Sequence, residues 1–262
     1  MKIDVIIATY KPEGINRVSN MYLPVEEDVN YIISWQEDNN YPLPRNLKRE
    51  DIHVYRCEGK GLSRNRNNGI EHSAADIVYI ADDDIILMPD FVSIIKRSFE
   101  QYPDTEVATF KMKEGSFPDK ITELTFYLPK NYSITAYQTA FKRELYPTIK
   151  FDIRYGINSG IFEAGEDELF HLTARKKGLK CRFFPEVLGS HPHASTGFRK
   201  IDDVKVLYSF GAVITKSYPR TFILRLPLKA YRLKKNNQYN FFGALFHLAV
   251  GSIKSMFLSS NY

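Results

Sequence analysis

Short apolar runs rich in β-branched and aromatic residues recur along the first part of the chain: IDVIIAT at 3–9, NYIISW at 30–35, DIHVYRC at 51–57 and ADIVYIA at 75–81. Each is short for a helix and nearly continuous in its hydrophobicity, so each predicts a strand buried on both faces. Between the third and fourth, GLSRNRNNGIEHSAA (61–75) predicts a helix capped by Ser63, with Ile70 turned toward the sheet. Another helix is predicted to begin near MPDF, with Pro89 in its first turn, where a missing N–H costs little. Strands alternating with helices predict a largely parallel α/β sheet, which binds ligands outside the carboxyl ends of its strands.

Further along, TEVATFKM (105–112) and KCRFFPEVL (180–188) read as strands. The stretch 113–135, with Gly115, Pro118 and Pro129, reads as an irregular insertion. An amphipathic helix is predicted from Glu166 to Lys177, closed by Gly178 at the C′ position. Near the end the most apolar part runs from Phe241 to Ile253 and contains His247. It is short of the roughly 20 residues a spanning helix needs, so it is not expected to cross a bilayer. There is no internal repeat or low-complexity segment.

Charge changes the picture because its sign is uneven. The total is +5, but residues 196–262 hold 11 Lys or Arg against 2 Asp or Glu, whereas residues 1–195 hold 25 against 29. An acidic body with a basic tail suggests that the tail meets a polyanion, either nucleic acid or an anionic membrane surface. Lys229, Arg232, Lys234 and Lys235 precede a Phe- and Leu-rich helix, a composition that suits the membrane interface; packing on the body or on a second subunit is the alternative. Cys57 and Cys181 lack metal-ligand spacing and read as buried free thiols of a reduced compartment. KIDVIIATY is too short in its apolar part for a secretory signal, which makes the cytoplasm the expected location.

The candidate chemistry starts at YIADDDIILMPDF (79–91), where three aspartates follow the fourth predicted strand. Neighbouring carboxylates about 5 Å apart repel by roughly 3 kcal/mol per pair at an effective dielectric near 20. Mg²⁺ or Mn²⁺ would relieve this, since hard dications take carboxylates together with substrate phosphates. One helix cap would explain a single Asp but not three.

These residues belong to an ordered set. VIIATYKPEG, GLSRNRNNGI, YIADDDIILMPDF, FKREL, KFDIRYG and GEDELFHLTARKKG together resemble the inverting nucleotide-sugar glycosyltransferases of the large family 2. The resemblance spans about residues 1–195. It implies a GT-A type, mostly parallel Rossmann-like sheet flanked by helices as one domain, with a basic, amphipathic helical C-terminal tail over 196–262. It also implies a sugar donor carried on a nucleotide diphosphate, with uridine diphosphate expected, and a glycan or lipid-linked acceptor hydroxyl, in surface polysaccharide or lipid-linked glycan assembly. A donor and an acceptor are then the expected partners, with an anionic membrane surface through the tail, peripheral to the inner face of the membrane. Nucleic acid is not expected, and a homo-oligomer is left open.

Residue by residue, the resemblance puts Thr9 and Tyr10 in the nucleotide pocket and Arg66 against the base or the phosphates. In the DXD-like motif, Asp82 would sit near the ribose and the metal, Asp84 would be the most direct ligand, and Asp83 could exchange roles with either. From GSHPHASTG, His193 or His191 would complete the coordination of Mn²⁺ or Mg²⁺. Asp167 would be the base that deprotonates the acceptor, with Glu166 and Glu168 orienting it or touching the acceptor. One departure stands out: where the family usually ends its second strand in an aspartate pair, this chain has SWQEDNN, so Gln36 would read the base, with Glu37 or Asp38 able to shift into that role. A rival of another class is a non-catalytic protein whose basic, aromatic tail holds single-stranded nucleic acid. Salt-sensitive retention on DNA without donor turnover would favour it.

Overall fold

A computed structural model of the chain describes residues 1–129, 132–191, 204–236 and 238–259. The four predicted apolar runs form β1 (Ile3–Tyr10), β2 (Val29–Gln36), β3 (Ile52–Arg56) and β4 (Ile77–Asp82), paired in parallel in the order β3-β2-β1-β4. Alternation explains why they read as continuously apolar. Ile3, Val5 and Ile7 enter one core with Tyr31, Ile33, Trp35 and Tyr79, while Ile6, Ile32, Val78 and Ile80 enter a second core on the other face. Two helices cover the first face, α1 (Lys11–Ser19) through Ile15 and Val18, and α3 (Phe91–Gln101) through Phe91, Ile94, Ile95 and Phe99. On the second lie α2 (Leu62–Glu71) with Ile70 and α4 (Glu166–Lys176) with Phe170 and Ala174.

Beyond β4 the sheet becomes mixed. A short strand β8 (Thr139–Lys142) runs antiparallel between β4 and β6 (Val107–Met112), and β6 pairs in parallel with β9 (Cys181–Ser190). Two-residue strands β5 (Ile86–Leu87) and β7 (Thr122–Glu123) pair antiparallel with β9. The described part of 113–135 is otherwise irregular, as expected.

Two local expectations are corrected. Ser63 does not cap α2: Gly61 holds the N-cap position, and the Ser63 hydroxyl donates instead to the Tyr155 carbonyl at 2.6 Å. Pro89 lies before α3, whose N-cap is Asp90, because the Met88 amide is held by the Leu188 carbonyl of β9. A helix not assigned from the sequence, α1, begins directly after β1; Pro12 is tolerated in its first turn.

Three further helices follow, α5 (Val204–Ser217), α6 (Phe222–Lys235) and α7 (Phe241–Ser259). α5 packs on the body through Ala212 and Val213 against Tyr155, Phe162, Leu169 and Leu172, and Lys216 Nζ donates to Asp152 at 2.8 Å. α7 crosses α5 at backbone distance: a Cβ on Gly251 would lie 1.8 Å from the Tyr208 carbonyl oxygen, and one on Gly211 1.9 Å from that of Leu248. The Thr215 and Ser252 hydroxyls bond at 2.6 Å across this crossing. The apolar part of α7 runs past the expected end at Ile253, and by length and composition Phe241–Leu258 is sufficient to cross a membrane.

Candidate functional site

The carboxyl ends of β1, β2 and β4 define the site. Register aligns Tyr10 with Gln36 and Ala8 with Asp82, so the residues that end the three strands share one edge. The chain turns to opposite sides after β1 and at β4, which makes this the topological switch point where open α/β sheets bind ligands. A cleft of about 310 Å³ opens there, lined by Thr9, Tyr10, Gln36, Asp82, Asp83, Asp84 and His191 from the expected residues, and by Arg17, Asn65 and Asn158.

The three aspartates separate because β4 ends at Asp82 and the chain turns through Asp83 and Asp84. Asp82 accepts from Arg66 Nη2 at 2.8 Å. Asp83 turns toward α1, where Arg17 donates to both of its oxygens at 3.1 and 2.9 Å and the Thr9 hydroxyl donates at 2.6 Å. Burial nevertheless lifts the Asp83 carboxyl above its ordinary value, outweighing those partners. Gly14 permits this arrangement, since a Cβ there would stand 2.2 Å from Thr9 Oγ1. Asp84 returns to the Asp82 side and meets His191 Nε2 at 3.2 Å. One ligand atom from each of Asp82, Asp84 and His191 falls within 4.8 Å of the others, and the His191 ring stacks on Tyr137 at 4.9 Å. Two carboxylates and an imidazole make an oxygen-rich set that fits Mn²⁺ well and Mg²⁺ less well. His193 lies outside the described residues.

At the second strand, Tyr10 donates its hydroxyl to Glu37 at 2.7 Å, Lys60 pairs with Glu37 at 3.0 Å, and Arg56 pairs with Asp38 at 2.6 Å. Both acids that could shift into the base-reading role are thus engaged. Gln36 instead is buried against the cleft, its Nε2 reaching only the Cys57 sulfur at 3.5 Å.

Arg66, Glu166 and Asp167 stand beside the cleft and do not line it. The Arg66 side chain is 2% exposed. Its Nη1 donates to Asp167 at 2.8 Å and lies 3.7 Å from Glu166, while Nη2 holds Asp82. Burial alone would pull the guanidinium down, but the three carboxylates outweigh it and hold Arg66 above its ordinary value. The other Asp167 oxygen accepts from the Ala136 amide at 3.0 Å. Burial raises both the Asp167 and the Glu166 carboxyl, with the Asp167 charge adding to the latter. Glu168 looks the other way, toward Lys229 of α6, whose ammonium is depressed by burial and lies 4.7 Å from the Phe210 ring centroid.

Four lining or contacting residues were not singled out in the sequence. Arg17 sits on the unpredicted α1. Tyr137 and Asn158 occupy stretches without a motif. Asn65 lies inside GLSRNRNNGI; its Nδ2 donates to the Thr9 carbonyl at 2.8 Å, while its Oδ1 is buried with no partner among the described residues.

Comparison with known proteins sets this geometry in context. A family model described as Glycosyl transferase family 2 matches residues 39–170, half of the chain. A glucosyl-dolichyl phosphate glucuronosyltransferase of Haloferax volcanii is 26% identical over 114 residues, 40% of this chain and 36% of its own length. The crystal structure of S. aureus TarS superposes with a TM-score of 0.59 at 15% identity, over 92% of this chain and 44% of that one. TarS 1-349 in complex with UDP-GlcNAc gives 0.56 at 14% identity, over 97% and 89%. The chain thus spans about a third of the length of the curated relative and under half of the full TarS chain. At such identity the likeness to TarS shows the fold, a GT-A type sheet with a C-terminal helical tail.

Proposed function

The chain belongs to glycosyl transferase family 2, and from that premise we propose that it is a metal-dependent, inverting glycosyltransferase that moves a sugar from a UDP-sugar to a hydroxyl of a glycan or lipid-linked acceptor. The observation that carries the reading is the convergence of Asp82, Asp84 and His191 within 4.8 Å at the switch point of the sheet. A uridine donor is supported by TarS, which is described in complex with UDP and with UDP-GlcNAc. Residues 1–195 would act as the transferase domain and 196–262 as its appended tail, the whole working in surface polysaccharide or lipid-linked glycan assembly.

In this reading Asp82, Asp84 and His191 hold Mn²⁺ or Mg²⁺, which when bound would offset the charge that builds on the departing diphosphate. Thr9, Tyr10 and Gln36 receive the nucleoside, and the orphaned Asn65 Oδ1 takes a hydrogen bond from one of its donors. Asp83, fixed by Arg17, forms the wall on the α1 side. Asp167 removes the acceptor proton while the freed oxygen attacks the anomeric carbon from the face opposite the diphosphate, which inverts the centre. Burial makes Asp167 a stronger base, and Arg66 opposes that rise and ties it to Asp82. Glu166 orients that pair. The nucleic-acid alternative accounts for the basic tail but for none of this chemistry.

Calorimetry of UDP binding with and without Mn²⁺ tests the reading, alongside UDP-sugar turnover. UDP should bind at least tenfold more tightly with the ion, and Asp84→Asn should lose that gain. Equal binding in both conditions removes the metal from the proposal, and no nucleotide binding at all ends it.

A further inference from the structure

α6 and α7 present an apolar surface that is largely exposed among the described residues. Ten of the eighteen large hydrophobic side chains exposed among the described residues lie on these two helices, among them Leu224 and Leu228 on α6 and Phe242, Phe246 and Phe257 on α7. The exposure is deep: Phe242 is 80% exposed, Phe246 63% and Phe257 71%. In α7 these positions recur at helical spacing, opposite the stripe of Ala244, Leu248 and Ser252 that packs on α5 and α6. A helix buried on both sides would belong to a core; this one is buried on one side only. Contiguous exposed apolar surface of that kind marks an interaction site.

Charge selects the occupant. Residues 204–259 contain nine Lys or Arg and no Asp or Glu. A second copy would bring the same positive field to the same face, whereas an anionic phospholipid surface supplies phosphates for the ammonium groups and an acyl boundary for the phenyl rings. We propose that α6 and α7 form a docking face for an anionic phospholipid bilayer and lie in the plane of its interface. The backbone-level crossing at Gly211 and Gly251 decides against spanning, although α7 is long enough. A spanning α7 would strip away α5, which is itself anchored on the body through Val213 and the Lys216–Asp152 pair.

Flotation of the full chain with vesicles tests this without reference to the transferase reading. Phosphatidylcholine vesicles with about a third phosphatidylglycerol should retain at least tenfold more protein than phosphatidylcholine alone, with the difference shrinking as salt is raised toward about 1 M. Phe242→Ser with Phe246→Ser should lower retention about tenfold on both vesicles, and Lys234→Glu with Lys235→Glu should remove only the preference for the anionic lipid. Thermal melts of both variants check folding, and UDP binding without vesicles is measured on each, so that loss of docking and loss of donor binding are read separately. Equal, weak retention of the native chain on both vesicles overturns the proposal. A native dimer in solution that the phenylalanine variant converts to monomer also overturns it, assigning the face to a second copy.

Discussion

The molecule holds two acidic triplets, Asp82-Asp83-Asp84 leaving β4 and Glu166-Asp167-Glu168 opening α4, and it resolves the same crowding in two ways. Where β4 runs out into a turn the side chains diverge, so each aspartate meets a different partner: Arg66, Arg17 and His191. On a helix they turn by about 100° per residue, so Glu166 and Asp167 both approach the single buried Arg66 while Glu168 faces Lys229. The strand triplet therefore presents two carboxylates to a common point in an open cleft, a geometry for an ion. The helical triplet keeps a carboxylate partly buried with a raised proton affinity, a geometry for a base. Backbone conformation, more than composition, separates the two.

Arg66 serves both triplets, and replacing it is expected to give the largest effect. Arg66→Met should destabilise the fold by about 3–5 kcal/mol, because three carboxylates lose their buried counterion. Urea unfolding reads this, and Arg66→Lys should recover part of it. A loss under about 1 kcal/mol would show that the triplets are not coupled through this residue.

Asp167→Asn separates the triplets by function. Transfer should fall by roughly 10²–10⁴-fold, the usual range for a lost general base, while UDP affinity changes little. An equal loss of UDP affinity would move Asp167 to the donor side.

The helical triplet should also carry a pH signature through Glu166. Glu166 has a folded value raised from 4.5 to about 8, so the folded chain keeps a proton that the unfolded chain has released. The resulting stabilisation is complete below about 4.5 and is lost as pH rises through about 8. Melting temperature followed across that range should decline more steeply in the native chain than in Glu166→Gln. Parallel curves would assign the slope elsewhere.

The smallest effect is expected at the rim of the strand triplet. Arg17 is half exposed, so Arg17→Ala should cost about 1 kcal/mol or less in stability while loosening Asp83. A loss of several kcal/mol in urea unfolding would place this pair with the buried ones.

Much of this was legible because it is local. Short, nearly continuous apolar runs marked β1 to β4, and a helical pattern closed by Gly178 marked α4 to within a residue. The acid run at the end of β4 and the one at the start of α4 were both visible as candidate sites. What stayed hidden depended on distant partners. Ser63 looked like a cap until Tyr155, 92 residues away, claimed its hydroxyl. α1 was not assigned from the sequence; Pro12 fits its first turn and Gly14 clears the Thr9–Asp83 pair. With α1 went Arg17. His191 and His193 were indistinguishable by spacing, and the end of β9 brings His191 beside Asp84.

The amino-acid order alone determined which segments become strands and helices and at which strand ends the carboxylates fall, because hydrophobic period and turn chemistry act over a few residues. Only tertiary structure decided that one arginine would join carboxylates 16 residues and 101 residues away. It likewise decided that the basic tail would bury one side of α7 and leave the other bare. Such pairings depend on how strands cross over and helices dock, and the energy that selects them is spread over whole faces of packed side chains.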